Sequence, residues 1–118
     1  MMRVPSGGTR VYLATGSTDM RKAIGSLSML VEGTLELDPF SGHLFGFCNR
    51  RRNIVKILYW DRNGFCLWQK RLERQKFRWP IDARAVLQLE HRELEWLLEG
   101  LDVKAIRPHR DLHYSTVL

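Results

Sequence analysis

A chain of 118 residues with 44% apolar and 27% charged content carries enough hydrophobic material for one ordinary domain, and too much for wholesale disorder. Its formal net charge of +6 and pI near 9.8 point to an anionic partner and say nothing about fold. No apolar run approaches bilayer-spanning length and the N-terminal stretch lacks a signal-peptide h-region, so the expected location is the cytoplasm, with no membrane partner.

Residues 1–9, with Pro5, Ser6, Gly7 and Gly8, read as a loose leader. Residues 10–14 (RVYLA) are β-branched and aromatic enough for a strand, which Gly16, Ser17 and Thr18 are expected to break. Thr18 suits an N-cap and Asp19 a first helical turn. Met20, Ile24, Leu27, Val31 and Leu35 then recur at helical spacing, so the pattern predicts a helix over 19–37, stopped by Asp38-Pro39. Strands are expected over 43–48, with Phe45 and Phe47 on one face, and over 53–60, 65–72 and 76–79. A basic turn occupies 49–53, and Asp61-Arg62-Asn63-Gly64 is a hairpin signal, because Asn-Gly tolerates positive φ. Residues 81–89 are transitional. Leu94, Leu97, Leu98 and Leu101 form the apolar stripe of a second helix over 90–100, with Glu90, Glu93, Glu95 and Glu99 read as its solvated flank and Gly100 at C′. Residues 103–118 read as a flexible tail. The expected architecture is a single α+β domain spanning 1–118: an antiparallel meander of about four or five strands with two helices on one face.

The charge is concentrated in one stretch. Residues 50–78 hold Arg50, Arg51, Arg52, Lys56, Arg62, Lys70, Arg71, Arg74, Lys76 and Arg78 against only Asp61 and Glu73. Like charges gathered this way repel unless an anion relieves them, and the phosphates of nucleic acid are the commonest such partner. Strand alternation puts Lys56, Leu58 and Trp60 on one face and Cys66, Trp68 and Lys70 on one face, and the hairpin is expected to bring Lys56 near Lys70. The three arginines of the turn would offer bidentate phosphate contacts. The interleaved Tyr59, Trp60, Phe65, Trp68, Phe77 and Trp79 read either as a stacking surface or as core.

Other chemistries are weakly supported. Cys48 and Cys66 lie in apolar, strand-like runs and read as reduced, buried thiols. His109 and His113 are four apart, but Pro108 precedes them and neither cysteine is close, so no metal site is expected. His43 and His91 stand alone. Asp19, Asp38, Asp61 and Asp102 each fall at an expected cap or turn, and no phosphate loop or nucleophile elbow occurs, so neither cofactor nor catalysis is expected.

The runs Thr18-Asp19-Met20-Arg21-Lys22 and Asp38-Pro39-Phe40-Ser41-Gly42-His43-Leu44-Phe45 carry a family signal. With Trp60-Asp61, Asn63-Gly64, Lys70-Arg71-Leu72-Glu73 and Leu97-Leu98-Glu99-Gly100-Leu101-Asp102, they closely resemble the TnpB (Orf2-like) accessory proteins of the bacterial insertion-sequence family numbered sixty-six. The resemblance runs in order from about residue 11 to 102. It implies a non-enzymatic accessory role in DNA transposition, beside a separate DDE-type transposase that performs strand transfer. It supplies no catalytic residues. This chain departs from it in having Glu90 where relatives often cap the last helix with Thr or Ser. Arg21 and Lys22, placed by the helix expectation in a first turn where the dipole disfavours cations, join the candidate DNA contacts.

The expected mechanism is phosphate contact by the basic meander. Two alternatives stand beside it: a protein-interaction module that docks the transposase without touching DNA, and an RNA-binding domain stacking bases on Trp60, Trp68 or Trp79. The sequence leaves the oligomeric state open.

Overall fold

In chain order the elements are β1 (Val11–Ser17), α1 (Ile24–Gly33), β2 (Leu44–Cys48), β3 (Ile54–Asp61), β4 (Gly64–Arg71), β5 (Val86–Leu89) and α2 (His91–Leu98). The structure, a computed structural model, describes residues 8–101. Most of the leader expected over 1–9, and the whole tail expected over 103–118, lie outside the described residues.

The α+β class is as expected. The strands form one sheet in the order β4-β3-β2-β1-β5. Strands β2, β3 and β4 make the anticipated antiparallel meander. The sheet as a whole is mixed: β1 runs parallel to β2, with Val11 opposite Leu44, and α1 makes the crossover between them. Strand β5 closes the other edge, antiparallel to β1.

The two helices lie on opposite faces of the sheet, not on one. Leu27, Val31 and Leu35 pack with Ala14, Phe45, Phe47 and Leu58, while Leu94, Leu97 and Leu98 pack with Val11, Leu13, Leu44, Val55 and Ile57. The reason is legible in the central strands. All five residues of β2 are buried, and β3 turns Val55 and Ile57 one way and Leu58 the other. A strand apolar on both faces needs a cover on each.

Several boundaries differ from expectation. Strand β1 continues through Gly16 to Ser17, because a register shift after Leu13 lets Ser17 pair with Cys48. Helix α1 starts only at Ile24. Residues 18–23 form a loop instead, in which the Asp19 carboxylate accepts from the Arg21 backbone N–H at 2.9 Å. Such a local bond competes with helix initiation. Arg21 and Lys22 therefore precede the helix rather than open it. At the other end Glu36 takes a left-handed φ of 55°, yet Leu35 still reaches the core. In the hairpin Asp61 pairs with Gly64, so Arg62 and Asn63 are the turn residues, and Arg62, at φ 54°, takes the positive angle expected of Asn-Gly.

Residues 76–79 are not a strand. Phe77 and Trp79 do alternate inward, but the segment is a strap across the α2 face, bonded to the turn between β2 and β3 by the Phe77 N–H donating to the Arg52 carbonyl at 2.7 Å. The last strand forms later, at Val86–Leu89. Helix α2 is opened by a reciprocal capping box between Glu90 and Glu93, and Gly100 takes φ 92° at its end. Glu93 is consequently buried rather than on a solvated flank, and Leu101 is exposed rather than part of the stripe.

Cys48 is buried beneath the strap, and desolvation pushes its thiol up to about 12. Cys66 is partly exposed on edge strand β4. A thiol-reactive dye at neutral pH should therefore label Cys66 in the native protein and both cysteines only in denaturant. Native labelling of both would contradict this packing.

Candidate functional site

The carboxyl ends of the parallel strands β1 and β2 lie side by side at one end of the sheet. The chain leaving β1 goes to α1 on one face, while the strap carrying Phe77 and Trp79 covers the other. The two departures leave a gap outside the strand ends, the place where open α/β sheets hold ligands. Here the gap is a trough of three joined hollows. The first, about 830 Å³, is lined by Arg52, Lys76, Phe77, Arg78, Trp79 and Ile81 among others. Arg52, Trp79 and Ile81 are shared with the second, about 300 Å³, and Ser17, Asn49 and Arg50 connect that one to the third, which Arg21 and Arg51 also line.

The trough's architecture depends on residues that charge counting overlooks. Asn49 organises the 49–54 turn: its Oδ1 accepts from the N–H groups of Asn53 and Ile54, both at 3.0 Å, and its Nδ2 donates to Asn53 Oδ1 at 2.7 Å. The turn forces Arg52 to φ 62°, a left-handed angle uncommon outside glycine. Arg52 is held there at both ends, its carbonyl accepting from Phe77 N–H and its Nη1 donating to the Trp79 carbonyl at 3.0 Å. Trp79 buries its ring and donates from Nε1 to the Ala14 carbonyl at 2.8 Å. Gly46 makes room for it: a Cβ at that position would stand 3.4 Å from the indole and 2.7 Å from Leu13 Cδ2. The sequence signal was available in a glycine at the centre of an apolar strand, which marks a close approach.

Of the expected contact residues, Arg50, Arg51, Arg52, Lys76 and Arg78 converge on the trough. Arg71 ends β4 at the same end of the sheet, opposite Ile54, and exposed Arg74 follows it into the strap. Arg71 faces Glu73 at 3.8 Å, with both side chains largely exposed. Among the described residues, Arg50, Arg51, Arg52, Lys76 and Arg78 have no carboxylate at ion-pair distance.

The others are elsewhere. Arg62 sits at the opposite end, in the β3–β4 turn. Lys56 and Lys70 are not neighbours: Lys56 pairs with Gln69 and Lys70 with Val55, which puts them on opposite faces. The pairing of Asp61 with Gly64 makes this unavoidable, since residues summing to an odd number face each other across the hairpin. Both ammonium groups serve backbone carbonyls. Lys56 Nζ donates to Met20 and Lys22 oxygens at 2.8 and 3.1 Å, securing the loop before α1. Lys70 Nζ donates to Leu98 O at 2.9 Å, at the negative end of α2. Lys22 is exposed in its loop, and Arg21 is engaged by Asp19, with Nη2 to Oδ2 at 2.6 Å. The Arg21 side-chain bonds hold the Asp19 carboxyl down to about 2, so the pair remains ionised through the ordinary pH range.

The aromatics divide. Phe77 and Trp79 are core. Tyr59 and Trp68 pack against that core, and Trp60 and Phe65 cluster with Phe40 at the far end, their ring centroids 5.0–5.2 Å apart. Among the described residues no group of three His, Cys, Asp or Glu side chains could hold a metal, and no helix is long and apolar enough to cross a membrane. His109, His113 and Asp102 lie outside the described residues.

Comparison with known proteins places this architecture in a family. The family model described as IS66 Orf2 like protein matches residues 9–108. Two relatives come from Sinorhizobium fredii (strain NBRC 101917 / NGR234). The uncharacterized protein y4hO is 40% identical over 100 residues, which cover 84% of this chain and 87% of that one. The uncharacterized protein y4jC is 36% identical over 98 residues, covering 83% and 84%. No solved structure matches the chain. With a match extending over the whole of the sheet and both helices, the chain belongs to the IS66 Orf2-like (TnpB) family.

Proposed function

We propose that this protein is a non-enzymatic accessory factor in DNA transposition that works beside its element's transposase by binding nucleic-acid phosphates at the cationic end of its sheet. The observation that supports this most is the convergence of Arg50, Arg51, Arg52, Lys76 and Arg78 on one trough, none of them at ion-pair distance from a carboxylate of the described residues, while the one acid lining it, Asp19, is engaged by Arg21. Guanidinium groups left unneutralised in one concavity lower their mutual repulsion by taking up phosphate. The stacking alternative is less favoured, because the rings of Phe77 and Trp79 are buried and Trp60 lies at the far end of the sheet. The contacts are therefore to backbone, which position a duplex without reading its sequence.

A mobility-shift titration with the terminal repeats of the insertion sequence and with random duplex, each with and without transposase, tests this reading. Comparable retention of both duplexes is expected from the protein alone. Retention of neither, with capture of transposase in the absence of DNA, would favour the protein-docking alternative.

Asp19 limits the site. It neutralises Arg21, which lines the third hollow. Asp19→Asn should free that guanidinium for one further phosphate, raising duplex affinity about fivefold near physiological salt and steepening the log–log salt dependence by about 0.9. Filter binding across a salt series reads both. Unchanged binding would mean that Arg21 stays out of reach of DNA.

A further inference from the structure

We infer that the first hollow of the trough receives an unpaired strand at the end of a duplex, with phosphates on Arg52, Lys76 and Arg78 and a sugar–base unit against exposed Ile81 between them. This rests on the nucleic-acid reading above and names the form of nucleic acid that suits the site.

Shape is the first argument. A duplex is a convex rod with its bases stacked inside, so it can rest on exposed Arg50 and Arg51 at the trough's outer part but cannot descend into a recess. The first hollow, about 830 Å³, is a shallow recess open to solvent, and a flexible single strand can follow its floor. Lining is the second argument. Arg52, Lys76 and Arg78 line the hollow around exposed Ile81, while Phe77, Trp79 and Pro80 are buried beneath, and no acid lines it. Cations set around one exposed apolar side chain match a ligand that offers an apolar plate between anions. An unstacked strand presents both, whereas a duplex presents only the anions. Ile81 is 65% exposed and stands where the first two hollows meet, so an apolar surface is offered at the point where the strand must turn. Continuity is the third. Arg52 belongs to the first two hollows and Arg50 to the second and third, so a strand leaving a duplex held at Arg50 and Arg51 has an unbroken cationic path to Arg78.

The test is fluorescence anisotropy on the full chain with three labelled probes: a blunt duplex, the same duplex bearing a short single-stranded overhang, and a poly-glutamate peptide. The overhang duplex should bind about tenfold more tightly than the blunt one, the order of gain that one or two base contacts supply. In the Lys76→Ala, Arg78→Ala double variant that ratio should fall to about one. In Arg50→Ala, Arg51→Ala both duplexes should weaken while the ratio persists. These four side chains are exposed, and circular dichroism of the variants checks that the fold is retained. Equal binding of blunt and overhang duplexes would overturn the inference and leave the nucleic-acid reading standing, as would a ratio unchanged by the Lys76, Arg78 double variant. Binding of neither duplex would overturn both. Poly-glutamate binding as tightly as the overhang duplex would reassign the hollow to an acidic peptide.

Discussion

Replacing Trp79 with alanine is expected to cost about 3–5 kcal/mol of unfolding free energy, the range for deleting a large buried aromatic. The indole is 4% exposed, lies over Gly46, and donates to the Ala14 carbonyl from Nε1. Its own carbonyl accepts from Arg52, so one residue joins the strap, the centre of the sheet and the 49–54 turn. Trp79→Phe keeps most of the volume and loses the N–H bond, and should cost less, about 1–2 kcal/mol. Because Lys76 and Arg78 ride on the strap, the alanine variant should also lose nucleic-acid affinity at temperatures where it remains folded. Urea unfolding followed by circular dichroism measures the stabilities. An alanine variant within about 1 kcal/mol of the parent would show that the strap is not anchored in this way.

The second large effect concerns binding. Substituting Arg50, Arg51 and Arg78 together by alanine should weaken duplex association roughly 100-fold near physiological salt. Each lost phosphate contact removes about 0.7 log units at that ionic strength. Arg62→Ala should leave affinity close to the parent, since Arg62 sits in the hairpin turn at the other end of the sheet. The contrast separates location from charge. Net charge alone would make any arginine count equally, whereas a localised site makes three matter and one not. Lys56→Ala and Lys70→Ala should affect stability more than binding, because each ammonium group already serves backbone carbonyls. Equal losses from Arg62→Ala and Arg50→Ala would contradict the trough as the site.

Much of this architecture is legible in the residues themselves. The β2–β3–β4 meander follows from alternating apolar residues and two turn signals, and the α2 stripe Leu94, Leu97, Leu98 lies where helical spacing puts it. The length of α1 was not readable, because Met20 and Leu35 fall at helical spacing yet reach the core from the flanking loops. Periodicity cannot distinguish those cases; the Asp19–Arg21 bond that delays the helix is local side-chain chemistry. Phe77 and Trp79 carry strand-like alternation without a strand, since the backbone bond of that segment goes to Arg52 in the 49–54 turn and not to a sheet edge. The cations were found by composition, but their display was misplaced. Reading them on a sheet face missed that most stand in turns, at 49–53 and 72–78, which the sheet gathers at one end. The parity of the hairpin register then separates Lys56 from Lys70, while Arg71, also on a strand, ends β4 at the turn. Asn49, which shapes the arginine turn, carries no charge and left no compositional trace.

The central claim is that clustered cations at the strand ends engage phosphates, and a salt series with the unmodified protein on random duplex tests it most directly. If Arg50, Arg51, Arg52, Arg74, Lys76 and Arg78 all act, the logarithm of the association constant should fall against the logarithm of salt concentration with a slope of roughly −5. A flat response, or no measurable association at low salt, would contradict it.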